Sequence, residues 1–360
     1  MIAILDFLDC GESRQEDDPI ESLSVNNLKS KIQNLKWTGI DALPVTFVVC
    51  GPVAQAQQQA KMLKIGWLSP GSAASTDRVE LFQREFRKLG YVDGKNITFE
   101  RRSADDQLDR LPGLAHELVR LKVDVLLTPG GNGALALKKA TRTIPIVFFG
   151  AVADPIDAGL VDSLSQPGGN ITGFTTISAV LVGKRLELLK ETVPKLSHLA
   201  VLWNPKSLGA AQSWKESQLA ARELSLQLYS MEVSITDKFE TAFKEAAKAG
   251  STALALTQDW LFTSNQKRIA NLAAKNRLPA MYYRGDFVES GGLISYGADQ
   301  DEPYRRAASM VDKILKGTKP GDIPVEQPTK FDLVINLKTA KQIGVTIPPS
   351  VLARADKVIK

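Results

Sequence analysis

Leu63-Lys64-Ile65-Gly66-Trp67-Leu68-Ser69-Pro70-Gly71 is a short apolar run that stops in a turn. Just beyond it, residues 76–89 carry Val79, Phe82, Phe86 and Leu89 at helical spacing, and Gly90 closes the pattern. A strand that runs into a polar loop and then a helix is the opening unit of a parallel α/β sheet. Ligands of such sheets bind at the carboxyl ends of the strands. Ser69, Gly71 and Ser72 are therefore expected to form the first wall of a site, with free backbone N–H groups and hydroxyls suited to a carboxylate. The same residues also read as a plain turn and helix cap.

The unit repeats. A second β-rich run at 97–100 is followed by a helical stretch at 108–121. The strand V-D-V-L-L-T at 123–128 then stops in Pro129-Gly130-Gly131-Asn132-Gly133. A helix at 134–141 and a strand at 145–149 follow, then a short helix over 155–165 and a turn at Gly168-Gly169-Asn170. After Phe174 the alternation begins again. Helices are expected at 181–193, 211–224, 238–249 and 265–276, and strands at 199–203, 226–233, 253–256 and 279–282. The tail adds strands at 293–296 and 331–336, a helix at 303–315, and short helices after Leu337 and after Pro349. The second set of strands mirrors the first in order and spacing. The reading is α/β: two Rossmann-like lobes with parallel sheets, joined by a multi-crossing hinge, with a ligand in the cleft. The expected boundaries are 57–173 with 292–325 for the N-terminal lobe, and 174–291 with 326–360 for the C-terminal lobe.

Composition narrows the function. The chain has 360 residues, 44 % of them hydrophobic, and no apolar run reaches the ~18–20 residues of a membrane span. Its two cysteines, Cys10 and Cys50, both precede the first strand. A zinc cluster, a catalytic thiol and an internal disulfide are thereby excluded from the folded body. Two histidines, His116 and His198, leave almost nothing for a Ser-His-Asp triad or a metal site. The net charge is +5; residues 1–56 hold four basic and eight acidic residues, so the remainder carries +9. These charges alternate in sign along helix faces, as in Glu80-Arg84-Lys88, which reads as solvated helix surface rather than a nucleic-acid footprint.

Residues 1–28 are acidic and without period. From Lys29 the character changes: Lys29, Lys31 and Lys36 precede a mostly apolar segment at 37–53, and Ala54-Gln55-Ala56 supplies a cleavage site. This is the pattern of a secretory signal. Residues 1–56 are therefore expected to be a signal peptide preceded by a misassigned N-terminal extension, with the true start near Val25 or Leu28. Cleavage near Ala56 would give a periplasmic protein. Cys50 follows Val49, so it does not fit a lipid-attachment site well.

Several phrases resemble the bacterial ABC-transporter substrate-binding proteins of the aromatic-amino-acid-type family, which are periplasmic binding proteins of type I. They are I-G-W-L-S-P-G-S at the first strand, T-I-P-I-V-F around Ile144, A-D-P-I-D-A-G-L-V from Ala153, and S-L-S-Q-P-G-G-N-I-T-G-F ending at Phe174. Further on come G-K-R-L-E-L-L-K from Gly183, A-V-L-W-N-P from Ala200, and G-T-K-P-G-D-I-P-V-E-Q-P-T-K-F-D-L-V-I-N-L-K-T-A from Gly317. The resemblance covers 64–360. It implies a monomeric receptor that performs no chemistry and needs no cofactor. Such a receptor captures a small solute, closes, and hands it to an ABC permease in the inner membrane.

Within this frame Gly131, Asn132 and Gly133 form a second anion-suited helix start. The run from Gly131 to Ala136 also fits G-x-G-x-x-A, with Asp154 about twenty residues on. That keeps an NAD(P)-linked or sugar-phosphate enzyme as an alternative, although the loop follows the third strand rather than the first. A ligand-sensing module for a signalling partner is the other alternative. Asp154 reads as a contact for a ligand ammonium or as a cap before Pro155. The family often places a polar contact where Asp259 and Trp260 lie, and an acid beside an indole suits an amino acid. Tyr283, Arg284 and Asp286 follow the next strand, with Arg284 a carboxylate clamp or a hinge-side ion pair. Phe174 and Thr175 on the first crossing, and Asn204 past its strand, complete the candidate set. Trp67 and Trp203 are expected in the core.

Overall fold

The computed structural model describes residues 62–71, 76–150, 154–299 and 301–360. The expected leader and Ser72 lie outside these residues. The first lobe opens with β1 (Leu63–Ser69), α1 (Thr76–Lys88), β2 (Ile97–Ser103), α2 (Leu111–Arg120), β3 (Val125–Pro129), α3 (Gly131–Ala140), β4 (Ile146–Gly150) and β5 (Ile171–Thr175). The second lobe continues with α4 (Val182–Thr192), β6 (His198–Trp203), α5 (Leu208–Glu223), β7 (Gln227–Glu232), α6 (Phe239–Lys248), β8 (Ala253–Leu256), α7 (Trp260–Ser264), α8 (Gln266–Lys275), β9 (Ala280–Tyr282), α9 (Gly285–Glu289) and β10 (Ile294–Ala298). The chain closes with α10 (Glu302–Leu315), β11 (Phe331–Asn336), α11 (Leu337–Ile343), α12 (Pro349–Leu352) and β12 (Lys357–Ile359).

Two sheets result. The first is parallel throughout, in the order β2-β1-β3-β4-β5; the second runs β12-β11-β10-β9-β8-β6-β7 and is parallel except where β11 lies antiparallel to β10. Each sheet has a hydrophobic core on both faces, as a doubly wound α/β layer requires. Ile65, Trp67, Phe82 and Phe149 fill one face of the first sheet, and Leu68, Leu126, Ile146 and Phe148 the other. In the second sheet Val201, Met281 and Ile335 pack to one side, and Leu202, Leu254 and Tyr282 to the other. Trp67 is core as its position in a strand suggested, edge-on to Phe82 and Phe149 at 5.5 and 5.6 Å. Trp203 is half-buried, stacks on Trp214 and donates to Ser230 Oγ at 2.8 Å.

Three differences from the sequence reading bear on the site. Residues 155–160 form turns rather than a helix. Gly159 adopts positive φ there, and Lys138 Nζ donates to the carbonyls of Gly159 and Leu160 in place of a helical ladder. Residues 171–175 are a fifth strand of the first sheet, which moves the first crossing from 173 to beyond Thr175. Residues 292–325 were expected in the first lobe as a block. Instead β10 pairs with β9 and β11 in the second sheet, and only α10 returns. Its Tyr304, Ala307, Met310 and Val311 are buried with Trp67 and Phe149. The second crossing therefore lies between β10 and α10. A third leaves Glu326, whose backbone is bonded to both Thr175 and Gly173.

Candidate ligand-binding cleft

The carboxyl ends of both sheets face one cavity. Pro129 closes β3, and Phe149 and Gly150 close β4. Gln258 and Asp259 follow β8, Tyr283 and Arg284 follow β9, and Ala298 ends β10 with Asp299 next after it. Trp260 and Tyr304 stand at the starts of α7 and α10 and, with Phe149, give the cavity aromatic walls. The remaining void is about 40 Å³, room for about three water molecules, so the walls stand close together.

Four charged groups set its electrostatics, and two of them are neutralised by neighbours. Arg284 is only 4 % exposed, and its Nη2 lies 2.6 Å from Asp286 Oδ2. Asp299 is paired with Arg305. The other two have no opposite charge beside them among the described residues. Arg185, 4 % exposed on α4, donates from Nε to Tyr296 O (2.7 Å) and from Nη1 to Ser178 O (2.8 Å) and Ser178 Oγ (3.1 Å). Burial lowers its pKa to about 10, so it stays cationic at neutral pH. Asp259 is 6 % exposed and caps α7, its Oδ1 accepting from Leu261 N (2.9 Å) and from Asn204 Nδ2 (3.3 Å). Burial raises its carboxyl to about 6, against the opposing pull of Ser207, Asn204 and the Leu261 amide.

A second, smaller chamber adjoins the first and shares Asp259 and Trp260 with it. Asp106, from the loop after β2, lines it, and its carboxyl rises to about 6 through burial first, then through the charges of Asp259 and Asp105. Bonds from lobe to lobe surround this chamber. Asn132 Nδ2 donates to Lys206 O (3.0 Å), and Asn132 Oδ1 accepts from Leu208 N (3.1 Å). Lys206 Nζ reaches Asp109 at 2.6 Å, and Trp260 Nε1 donates to Pro129 O at 3.2 Å.

The structure brings Asp259, Trp260, Tyr283 and Arg284 together around the main cavity, and Gly131, Asn132 and Asn204 around the second. Other candidates fall elsewhere. Phe174 is fully buried in the core of the first lobe, because β5 continues through it, and lines neither chamber. Thr175 spends its hydroxyl on Ile177 N (3.2 Å) and its amide on Glu326 O (3.0 Å); the crossing residue at the main cavity is Thr176. Asp154 caps the turn after it, accepting from Ile156 N at 2.8 Å, while its own amide donates to Gln212. Asp286 stands behind Arg284 as its partner.

Gly133 serves packing: a Cβ there would collide with Thr128 Oγ1. The loop before it needs Gly130 at φ 101° to turn from β3 into α3. Ser69 lies at the end of β1, where its carbonyl accepts from Ala104 N. Gly71 leaves room for the Trp260 ring, 3.2 Å from where a Cβ would sit. Sequence reasoning missed Arg185, Asp106, Gln258 and Tyr304. Gln258 was within reach of the rule that found Asp259, since it too follows β8. Arg185 carries no such signal, because it sits mid-pattern in a helix.

Comparison with known proteins agrees with this geometry. A family model described as ABC transporter substrate binding protein matches residues 72–359. A tyrosine-binding protein of Clostridioides difficile (strain R20291) is 28 % identical over 262 residues, 73 % of this chain and 75 % of its own length. Among solved structures, a conserved domain protein from Vibrio cholerae O1 biovar El Tor str. N16961 is 30 % identical with a TM-score of 0.77, across 83 % of this chain and 100 % of that one. An ABC domain in complex with L-Trp from Streptococcus pneumonia is 26 % identical with a TM-score of 0.75, over the same shares of the two chains.

Proposed function

The chain belongs to the ABC transporter substrate-binding proteins, and from that premise we propose that it is the periplasmic receptor of an importer for a zwitterionic amino acid with an aromatic side chain. Its fold is the two-lobed α/β arrangement of type I periplasmic binding proteins, and its relatives are solute-binding proteins, not enzymes. The observation that carries the amino-acid reading is the pair of unneutralised charges in one cavity, Arg185 and Asp259, between the aromatic walls of Trp260, Tyr304 and Phe149. A buried charge without a counter-ion is costly. A ligand carrying one carboxylate and one ammonium supplies both counter-ions at once. The relatives named for tyrosine and crystallised with L-Trp point to the same chemical class.

In this reading the lobes part about the three crossings, admit the solute and close on it. The closed receptor then docks on an inner-membrane permease as a monomer. Export to the periplasm rests on the basic, apolar and Ala-x-Ala pattern of residues 29–56. Thermal shift and calorimetry of the purified protein test the ligand class against tyrosine, tryptophan, phenylalanine, leucine, benzoate, a sugar and NAD. A ligand at ~100 times its dissociation constant adds about 2.7 kcal/mol and moves the midpoint by a few degrees. A shift confined to aromatic amino acids supports the proposal. A shift with NAD or the sugar alone, and none with any amino acid, overturns it.

A further inference from the structure

We infer that Arg185, rather than Arg284, holds the carboxylate of the bound amino acid. This rests on the amino-acid reading above and assigns one end of the ligand within it. By position Arg284 is the obvious clamp, because it follows a strand end and faces the cavity. Its charge, however, is already met by Asp286 at 2.6 Å, even though its Nε and Nη2 make no hydrogen bond. A second carboxylate brought to an arginine that already has one adds a like charge beside Asp286 and gains little.

Arg185 is in the opposite condition. Its three bonds all go to neutral oxygens, two backbone carbonyls and a hydroxyl, and no carboxylate contributes to its titration. A guanidinium has five N–H donors. The three bonds use Nε and Nη1 and leave both N–H groups of Nη2, on a side chain that lines the cavity. The two acids that share the cavity do not serve it, since Asp299 pairs with Arg305 and Asp259 is bonded to Leu261 and Asn204. Arg185 is thus a buried, oriented cation that a ligand carboxylate completes, with a charge-assisted bond of the strong kind.

The residues that orient Arg185 add a consequence for closure. Ser178 lies on the first crossing between the lobes, and Tyr296 on β10 just before the second. A carboxylate on Arg185 therefore engages a group bonded both to the first crossing and to β10, the strand that leads into the second.

The test is a ligand-by-variant cycle on the full chain, measured by calorimetry with L-tryptophan, L-tyrosine and L-tryptophanamide. The amide keeps the ring and the ammonium and lacks the carboxylate. The wild-type protein should bind tryptophan about a hundredfold or more tighter than the amide. Arg185→Gln should bring that ratio down to within a few fold while leaving amide affinity within about threefold of wild type. Arg284→Gln should weaken both ligands by a similar factor and keep the ratio. If thermal melting shows Arg185→Gln unfolded, Arg185→Lys replaces it. A lysine that stays with Ser178 and Tyr296 cannot also reach the ligand, so the ratio should still fall at least about tenfold. A ratio that is unchanged at position 185 and collapses at position 284 overturns the assignment and leaves the amino-acid reading standing. A wild-type protein that binds neither tryptophan nor tyrosine overturns that reading itself.

Discussion

The indole Nε1 of Trp260, at the start of α7 in the second lobe, donates to the carbonyl oxygen of Pro129, at the end of β3 in the first, across 3.2 Å. The same ring lies against Gly71 at the end of the first strand unit and lines both chambers. One side chain of the second lobe thus meets the mouths of two strands of the first. Trp260→Phe keeps a ring in the cleft and removes the inter-lobe bond, whose net worth is about 0.5–1.5 kcal/mol. Affinity for the amino-acid ligand should fall about three- to tenfold, with the ligand-free melting midpoint nearly unchanged. Calorimetry beside a thermal melt checks this, and unaltered affinity would remove the bond from the account of closure.

Asp259 makes binding and ligand-free stability respond to pH in opposite directions. Its folded pKa, about 6, lies above the ordinary carboxylate value of 3.8. Between those values the folded carboxyl keeps a proton that the unfolded chain releases, so stability from this group is highest at low pH and is lost as pH rises through about 6. The ammonium of the ligand pairs with the ionised form, so affinity should be full above about pH 7 and fall as much as tenfold per unit below 6. Asp106 titrates in the same range beside it. The comparison is therefore wild type against Asp259→Asn at pH 5, 6, 7 and 8. The variant should melt higher without ligand at pH 7.5, bind more weakly there, and show a flatter affinity profile. A variant that keeps the wild-type profile would give the titration to Asp106 instead.

Phe174 separates core from site. It is fully buried among Trp67, Phe149 and Tyr304 on one face of the first sheet. Phe174→Ala should cost about 3–5 kcal/mol of stability through the cavity it leaves. At a temperature well below the lowered midpoint, ligand affinity should remain within about threefold of wild type. A denaturant melt paired with calorimetry at 10 °C decides the matter; a large affinity loss with stability intact would return Phe174 to the cleft.

The alternation of apolar runs and helical periods made the two sheets legible, because burial on both faces writes itself into β3 (V-L-L-T-P) and β8 (A-L-A-L) as continuous apolar sequence. Strand ends then pointed to Asp259, Trp260 and Arg284. What escaped was whatever the assembly decides. Arg185 is the third residue of G-K-R-L-E-L-L, where a basic residue beside Lys184 reads as helix surface; only the approach of β10 and the first crossing buries it. The lobe of residues 294–298 escaped for a similar reason. A strand and the helix after it ordinarily share a sheet, and here Asp299 is the point at which the chain leaves one sheet for the other. In the sequence Asn132 belongs to a helix start suited to an anion. Nothing local shows that the start of α5 will occupy it.

That occupation gives the last prediction. Asn132 uses both ends of its amide on the α5 entrance, donating to Lys206 O and accepting from Leu208 N. It does not line the main cavity. Its effect on binding should therefore come through the equilibrium between open and closed lobes. Two net hydrogen bonds are worth about 1–3 kcal/mol to the closed form, and a receptor whose competent form is less populated binds more weakly in proportion. Asn132→Ala should lower affinity about tenfold through faster dissociation, equally for tryptophan and for tryptophanamide. Asn132→Asp, which keeps the acceptor for Leu208 N and loses the donor to Lys206 O, should fall between. Stopped-flow tryptophan fluorescence gives the dissociation rates. Small-angle scattering of the ligand-free variant should show a more extended particle than wild type. A loss that differs between the two ligands would mean that Asn132 touches the solute itself; a loss confined to the association rate would mean that the bond forms before the lobes close.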